Sequence, residues 1–393
     1  MQYRVNPRNG DKLSALGYGC MRFTRKGGGI DQEKANRELK LALDNGVNYF
    51  DTAYIYPGSE EALGRFIKEY GCRDKLNIAT KLPHYRVKKP EDIDAFFDEE
   101  LKRLQTDHVD YYLMHMMNDA QSFRRLCDLG IKEWVAKRKA AGQIRNIGFS
   151  FHGSTPQFKE LIDAWDWDFC QIQLNYMDER TQAGVEGLEY AAAKGIAVII
   201  MEPLRGGKLA TGLPKAAMRE FEQAEPRRSP AEWGLRWLWN RPEVTVILSG
   251  MNDVQQVEEN CRVASDSLPD ALTDADMAMF QRVLTALTGT ERINCTGCGY
   301  CQPCPKGVAI PVCFAAYNTS YADNLFTGMK EYMMCTTLRK ARSNASLCVK
   351  CGKCEQHCPQ HLPIREALDK VRKRLENPAY KIAAAVLPRF MKY

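Results

Sequence analysis

A (β/α)₈ barrel followed by a small, cysteine-rich helical module is the architecture the sequence predicts, and three observations predict it. Eight short apolar or β-branched runs alternate with stretches of helical period over about 250 residues. Eight cysteines fall in two tight runs near the C-terminal end. Between these patterns the composition turns abruptly to cysteine, glycine and proline near residue 291, which divides the chain into residues 1–290 and 291–393. Strand followed by helix, repeated eight times, suits a closed barrel better than an open doubly wound sheet, although periodicity fixes order and leaves closure to the structure.

The expected strands are LGYGCM (16–21), NYFDTA (48–53), LNIATK (76–81), VDYYLMH (109–115), RNIGFS (145–150), FCQIQLN (169–175), AVIIMEP (197–203) and VTVILSG (244–250). Their near-continuous apolar character fits parallel strands covered by helices on one face and packed into a barrel core on the other. Between them, DQEKANRELKLALDNG and PEDIDAFFDEELKRLQ repeat apolar residues three and four apart, with acidic or proline starts. TDADMAMFQRVLTALTGT (273–290) predicts one more helix, with Thr273 as N-cap and Asp276 as its capping-box partner.

The chain of 393 residues is long enough to bury a barrel-sized core and a second, smaller one. No run approaches the roughly 18 apolar residues a membrane span needs, and the charged start MQYRVNPRNGDK does not resemble a signal peptide, so a cytoplasmic protein is expected. A net charge of +6 is too small to imply nucleic acid. Its distribution is uneven: residues 295–393 carry 15 Lys and Arg against 6 Asp and Glu, a net +9, leaving −3 for the rest. Cys20, Cys72, Cys127, Cys170, Cys261, Cys313 and Cys335 are scattered singly, as small buried hydrophobes would be.

The second cysteine run, Cys348-x₂-Cys351-x₂-Cys354-x₃-Cys358-Pro359, matches the bacterial ferredoxin pattern residue for residue. The first, Cys295-x₂-Cys298-x₂-Cys301-x₂-Cys304-Pro305, is one residue shorter before its last cysteine. The resemblance implies two [4Fe–4S] clusters with crossed ligands: Cys295, Cys298, Cys301 and Cys358 for one, and Cys348, Cys351, Cys354 and Cys304 for the other. Zinc is the competing reading of paired Cys-x₂-Cys units, but it gives no reason for a proline after each fourth cysteine. With little local core in these runs, ligation is expected to supply much of the module's folding energy.

In the barrel, Asp51 ends the second strand, Tyr56 lies in the loop after it, Lys81 ends the third strand and His115 the fourth. All four then belong to the C-terminal face, where the active sites of such barrels lie. Reducing a carbonyl by hydride needs a proton donor to the developing alkoxide, and a tyrosine donates poorly near neutral pH unless a cation lowers its pKa. Lys81, held charged by Asp51, would lower Tyr56 by a few units, worth on the order of 3–4 kcal/mol. His115 would orient the carbonyl and stabilise the oxyanion.

FDTAYIYPGSEEALG, IATK and DYYLMH, in this order, resemble the aldo/keto reductase family over about residues 1–270. The resemblance implies a catalytic tetrad of Asp51, Tyr56, Lys81 and His115, with Tyr56 as acid/base. It also implies NADP or NAD extended across the barrel mouth, near Gly19, Met21, Asp51 and Ser150, the strand residue Gln171, the EPLRGGKL residues Pro203, Leu204 and Gly207, and the final-loop residues Asn252, Gln256, Glu259 and Asn260. Glycines there let backbone approach phosphates, and a helix starting near Asp253 offers its N-terminus to an anion. The stretch GMNDVQQ lacks the Lys or Arg that commonly grips the 2′-phosphate of NADP in the family, which leaves NADH open. Met21, Tyr54, Met116 and Phe151 are expected to line the pocket or to pack the barrel top.

The leading expectation is a nicotinamide-dependent oxidoreductase that reduces a small carbonyl or oxidises an alcohol. Its clusters would exchange electrons with an acidic carrier of ferredoxin or flavodoxin type, drawn by the basic tail. A hydride carries two electrons and a cluster accepts one; a flavin normally bridges that gap, and the sequence carries no flavin-specific signature. The alternatives are a carbonyl reductase with structural or redox-sensing clusters, and a non-enzymatic redox sensor that binds nicotinamide.

Overall fold

The structure is a computed structural model that describes residues 1–287, 293–322, 324–338 and 341–386. Contacts between Cα atoms group the chain into two compact units, Met1–Leu204 with Ser229–Thr273, and Arg205–Arg228 with Asp274–Tyr393. The boundary expected near residue 291 lies outside the described residues. The grouping assigns the helices Lys215–Gln223 and Asp274–Leu287 to the second unit because they pack on each other. Phe221 meets Phe280 edge-on with centroids 6.4 Å apart, and Arg282 pairs with Glu220 at 2.6 Å.

The first unit is a closed eight-stranded barrel. Its strands are β1 (Leu16–Gly19), β2 (Tyr49–Asp51), β3 (Asn77–Leu82), β4 (Val109–Met117), β5 (Ile144–Phe151), β6 (Phe169–Gln173), β7 (Ala197–Met201) and β8 (Val244–Ser249). Each pairs in parallel with its successor, and β8 closes on β1 with Ile247 opposite Leu16. All eight expected strands form. Cys20, Thr52, Leu174 and Glu202 leave their strands at the C-terminal ends, where backbone turns into the loops of the rim.

The helices start where their side chains satisfy first-turn amides. Asp31 accepts from the Lys34 amide at 3.1 Å ahead of helix Gln32–Asp44, which turns Ala35, Leu39 and Ala42 inward. The N-terminal hairpin, Tyr3–Val5 with Lys12–Ser14, inserts Leu13 into the barrel core beside Tyr49 and Tyr111. The Tyr111 hydroxyl fixes it by donating to Asp11 at 2.8 Å. That hairpin covers the N-terminal end of the barrel and leaves the C-terminal end for chemistry.

The side-chain period of two carries the core outward into the site. Tyr49, Ala79, Leu113, Phe169 and Ile199 are buried together inside the barrel. Two residues further along their strands stand Asp51, Lys81, His115, Gln171 and Met201, on the inward-facing side at the C-terminal rim.

In the second unit, helices Ile310–Ala322, Leu325–Tyr332, Ile364–Leu375 and Pro378–Val386 and a π-helical turn, Met333–Thr337, enclose a core that includes Val308, Phe314, Tyr332, Leu368, Val371 and Leu375. This core is more substantial than the cysteine runs alone suggested. Helix Ile310–Ala322 accounts for it, being apolar on all sides rather than along one stripe. Among the described residues no helix is long and apolar enough to cross a membrane.

Candidate active site and thiol-lined cavities

Asp51 and Lys81 form an ion pair inside the barrel rim, 4% and 0% exposed. The Lys81 ammonium donates to both carboxylate oxygens of Asp51 at 2.7 Å and to the carbonyl of Thr52. Burial alone would lower Lys81; the Asp51 carboxylate and Tyr56 outweigh it and hold the ammonium above the usual lysine range. Its Nζ lies 5.2 Å from the centre of the half-buried Tyr56 ring. That ring stands edge-on to His115, centroids 5.8 Å apart. His115 is pushed well below the ordinary histidine range by burial and then by Lys81, His152 and His84, so its imidazole is neutral. The four candidate residues therefore converge.

The rim backbone is unusual here. The register of β4 with β5 shifts between Met114 and Met117, and Met116 adopts φ +61°. Glu202, just past β7, has φ +55°. Such conformations in non-glycine residues cluster at functional sites.

The expected cofactor residues are placed as follows. Ser150 is buried, and its hydroxyl accepts the Met116 amide at 2.8 Å, so it braces the shifted strand. Gln171 is buried with its amide 3.6 Å from the Met201 sulfur. Gly19 lies where a Cβ would come within 3.3 Å of the Ser249 carbonyl, and Met21 is exposed beside it in sequence. Asn252 and Gln256 are exposed and bonded to each other, the Gln256 side chain accepting the Asn252 amide at 3.1 Å. Asp253 caps helix Val254–Asp266, on which Glu259 accepts from the Ser229 hydroxyl and Asn260 donates to Ser249 at 3.0 Å. Pro203 is buried, Leu204 packs over Gly234, and Gly207 lies in the second unit with φ +95°.

Two of the four pocket candidates serve packing. Phe151 turns away from the barrel interior onto Phe158, centroids 5.1 Å apart. Tyr54 is held between Phe96 and the Arg103 guanidinium, which lies 4.2 Å from its ring centre.

Several neighbours of the site were not read from the sequence. Arg103 bonds the Tyr54 carbonyl and Glu60, and Glu60 accepts from Thr80 at 2.6 Å, which ties the Tyr56 loop to β3. Cys20 is fully buried, its thiol pushed up by burial and by Asp51. The stem of Arg22 runs so close to Gly250 that a Cβ there would meet it at 3.1 Å, which sets a cation beside the segment GMNDVQQ. None of these had a signal in spacing, because each contact joins elements far apart in the sequence.

His84, in the turn after β3, contacts the Met116 carbonyl at 3.4 Å and is lowered to about 4, chiefly by burial. The unfolded chain then binds a proton between pH 6.5 and 4 that the folded chain refuses, so stability is complete above 6.5 and falls as pH drops toward 4. The loss amounts to about 3 kcal/mol for His84, with His115 acting in the same direction. Urea unfolding between neutral and mildly acidic pH should show this slope, and His84→Gln should reduce it. An unchanged slope would refute the assignment.

In the second unit the cysteines gather into two cavities. Cys295, Cys298, Cys301 and Cys358 line one, with Ile310, Pro311 and Phe314 among its walls. Cys304, Cys348, Cys351 and Cys354 line another, with Lys306, Val349 and Arg365. Each cavity takes three cysteines from one run and the fourth from the other. The Cys301 thiol is pushed up to about 12 by burial and then by Cys298, Cys295 and Cys358. Four thiols, no carboxylate or imidazole and largely apolar walls suit a thiolate-ligated cluster.

The model of the aldo/keto reductase family matches residues 15–284, and that of a 4Fe-4S dicluster domain matches residues 294–362. YrpG of Bacillus subtilis (strain 168), described as an uncharacterized oxidoreductase, is 27% identical over 310 residues, covering 68% of this chain and 92% of its own. The aldo-keto reductase YhdN of the same organism is 32% identical over 270 residues, covering 65% and 76%. A probable voltage-gated potassium channel subunit beta of Arabidopsis thaliana is 24% identical over 318 residues, covering 68% and 92%. Among solved structures, the holo form of the aldo-keto reductase AKR11C1 from Bacillus halodurans shares the fold with a TM-score of 0.60 at 24% identity, covering 72% of this chain and 96% of its own.

Proposed function

Since this chain belongs to the aldo/keto reductase family and carries a 4Fe-4S dicluster domain C-terminal to the barrel in sequence, we propose that it is a nicotinamide-dependent oxidoreductase acting on a small carbonyl or the corresponding alcohol, with two [4Fe–4S] clusters that exchange electrons with a partner protein. The observation that carries the reading is the convergence of Tyr56 with the buried Lys81–Asp51 pair and a neutral His115.

When bound, NAD(P)H supplies the hydride that reaches the carbonyl carbon. Tyr56 gives its hydroxyl proton to the carbonyl oxygen, so carbonyl, hydride and proton become the alcohol. The Lys81 ammonium, fixed by Asp51, stabilises the phenolate left behind, which regains a proton from solvent. A neutral His115 can donate an N–H to the carbonyl oxygen, which orients it and spreads the developing charge. In the reverse direction the phenolate of Tyr56 takes the alcohol proton.

The clusters supply one-electron storage. Cys295, Cys298, Cys301 and Cys358 would hold one, and Cys304, Cys348, Cys351 and Cys354 the other. Anaerobically prepared protein should contain about eight iron atoms per chain, and dithionite should develop paramagnetic resonance signals of two reduced clusters. Stoichiometric zinc without a reducible signal would refute the cluster reading. A signal developed by NADH or NADPH alone would mean that barrel and clusters form one circuit.

The likeness to a probable channel subunit beta favours a second reading, in which the barrel binds nicotinamide and reports redox state. It differs measurably, because a sensor tolerates loss of the Tyr56 hydroxyl.

A further inference from the structure

The two thiol-lined cavities differ in their surroundings. Beyond its cysteines, the first is walled by Ile310, Phe314, Leu362 and Ile364, and no charged side chain among the described residues lines it. The second is lined by Lys306 and Arg365, and its Cys351 is exposed. Beside it Val349 and Leu347 are 58% and 36% exposed. Ile310 lines both cavities, so they are neighbours.

The chain segments around the second cavity are basic in sequence. Residues 304–306 and 347–374 carry 8 Lys and Arg against 3 Asp and Glu. Lys350 is offset by Asp369 at 2.6 Å and Arg365 by Glu355 at 2.8 Å. Lys306 and Lys353 are exposed, with no carboxylate partner among the described residues.

We propose that the cavity of Cys304, Cys348, Cys351 and Cys354 is the electron port of this protein, and that Lys306 and Lys353, around the exposed Val349, dock a small acidic one-electron carrier protein. The inference rests on the iron–sulfur reading above. Each docking moves one electron between the carrier's redox centre and the port cluster: one is oxidised, the other reduced, and no bond is made or broken. The apolar first cavity is the inner station, one side chain away through Ile310. A protein carrier fits better than a phosphate-bearing surface because the exposed Val349 shares the cavity lining with Lys306, and apolar contact beside charge is the composition of a protein interface.

The test uses full-length, iron-loaded protein and an acidic two-cluster ferredoxin as the probe, with binding measured by calorimetry at low and at high ionic strength. Binding should weaken with salt, and K306E/K353E should weaken it at least about tenfold while iron content and cluster signals stay unchanged. The barrel pair K68E/K75E, two exposed lysines giving the same change in net charge, should weaken it less than about twofold. Equal weakening by both pairs, undiminished binding by K306E/K353E, no binding by the parent protein, or binding of anionic lipid vesicles in place of the ferredoxin would each overturn the proposal. Should charge reversal lower the iron content, K306Q/K353Q is measured instead. Protein without iron fails the cluster reading; loaded protein that ignores the ferredoxin fails only the port.

Discussion

Tyr56→Phe is expected to lower kcat for reduction of an aromatic aldehyde such as p-nitrobenzaldehyde by about 10²- to 10⁴-fold, and to leave the Kd of NADPH unchanged. That loss corresponds to about 3–5 kcal/mol of transition-state stabilisation. The substitution removes one hydroxyl and keeps the ring that stands edge-on to His115 and 5.2 Å from the Lys81 ammonium, so folding should be unaffected. Stopped-flow reduction and a fluorescence titration of the nucleotide would measure the two quantities separately. A kcat within about threefold of the parent would remove Tyr56 from the proton-transfer role, whereas no turnover by the parent with nucleotide still bound would favour the sensor reading.

The same comparison is less informative at Lys81 or Asp51. Removing either partner leaves the other charge buried without its counter-ion, which destabilises a protein by about 3–5 kcal/mol and confounds catalysis with folding. The pair is a weak source of net stability, since desolvation offsets much of its attraction. Its retention at the rim makes sense through its effect on Tyr56.

The barrel was legible because parallel strands covered on both faces read as nearly unbroken apolar runs, as in VDYYLMH, and because the period of two carries a core residue such as Ala79 to a rim residue such as Lys81. The grouping of the cysteines was legible from ferredoxin spacing, despite the missing residue before Cys304. What escaped depends on contacts between distant strand ends. His84 follows β3 and reaches the carbonyl of Met116 on β4, where the β4–β5 register shifts. The stem of Arg22 meets Gly250 only once β8 has closed on β1. Helix Ile310–Ala322 carries no apolar stripe, so periodicity does not mark which side is buried.

Removing iron should separate the two units energetically. The cysteine-bearing segments have little regular structure: residues 294–309 contain no helix or strand, and residues 348–363 contain one short helix, Lys353–Gln356. Ordering them by ligation is worth on the order of 10 kcal/mol by analogy with small metal domains, far more than any single contact there. The helical core around Phe314, Tyr332, Val371 and Leu375 would survive in part, because its packing does not consist of thiols. Chelation should therefore expose Lys306, Lys350 and Lys353 to trypsin at least about a hundredfold faster, while the barrel keeps its thermal transition. All six tryptophans, at 134, 165, 167, 233, 237 and 239, belong to the first unit, so their fluorescence follows the barrel alone. A tryptophan transition that shifts by many degrees on iron removal would mean that the clusters hold the barrel together as well. Unchanged tryptic cleavage at the three lysines would mean that the segments order themselves without metal, and the thiols would then be free to serve as a redox switch.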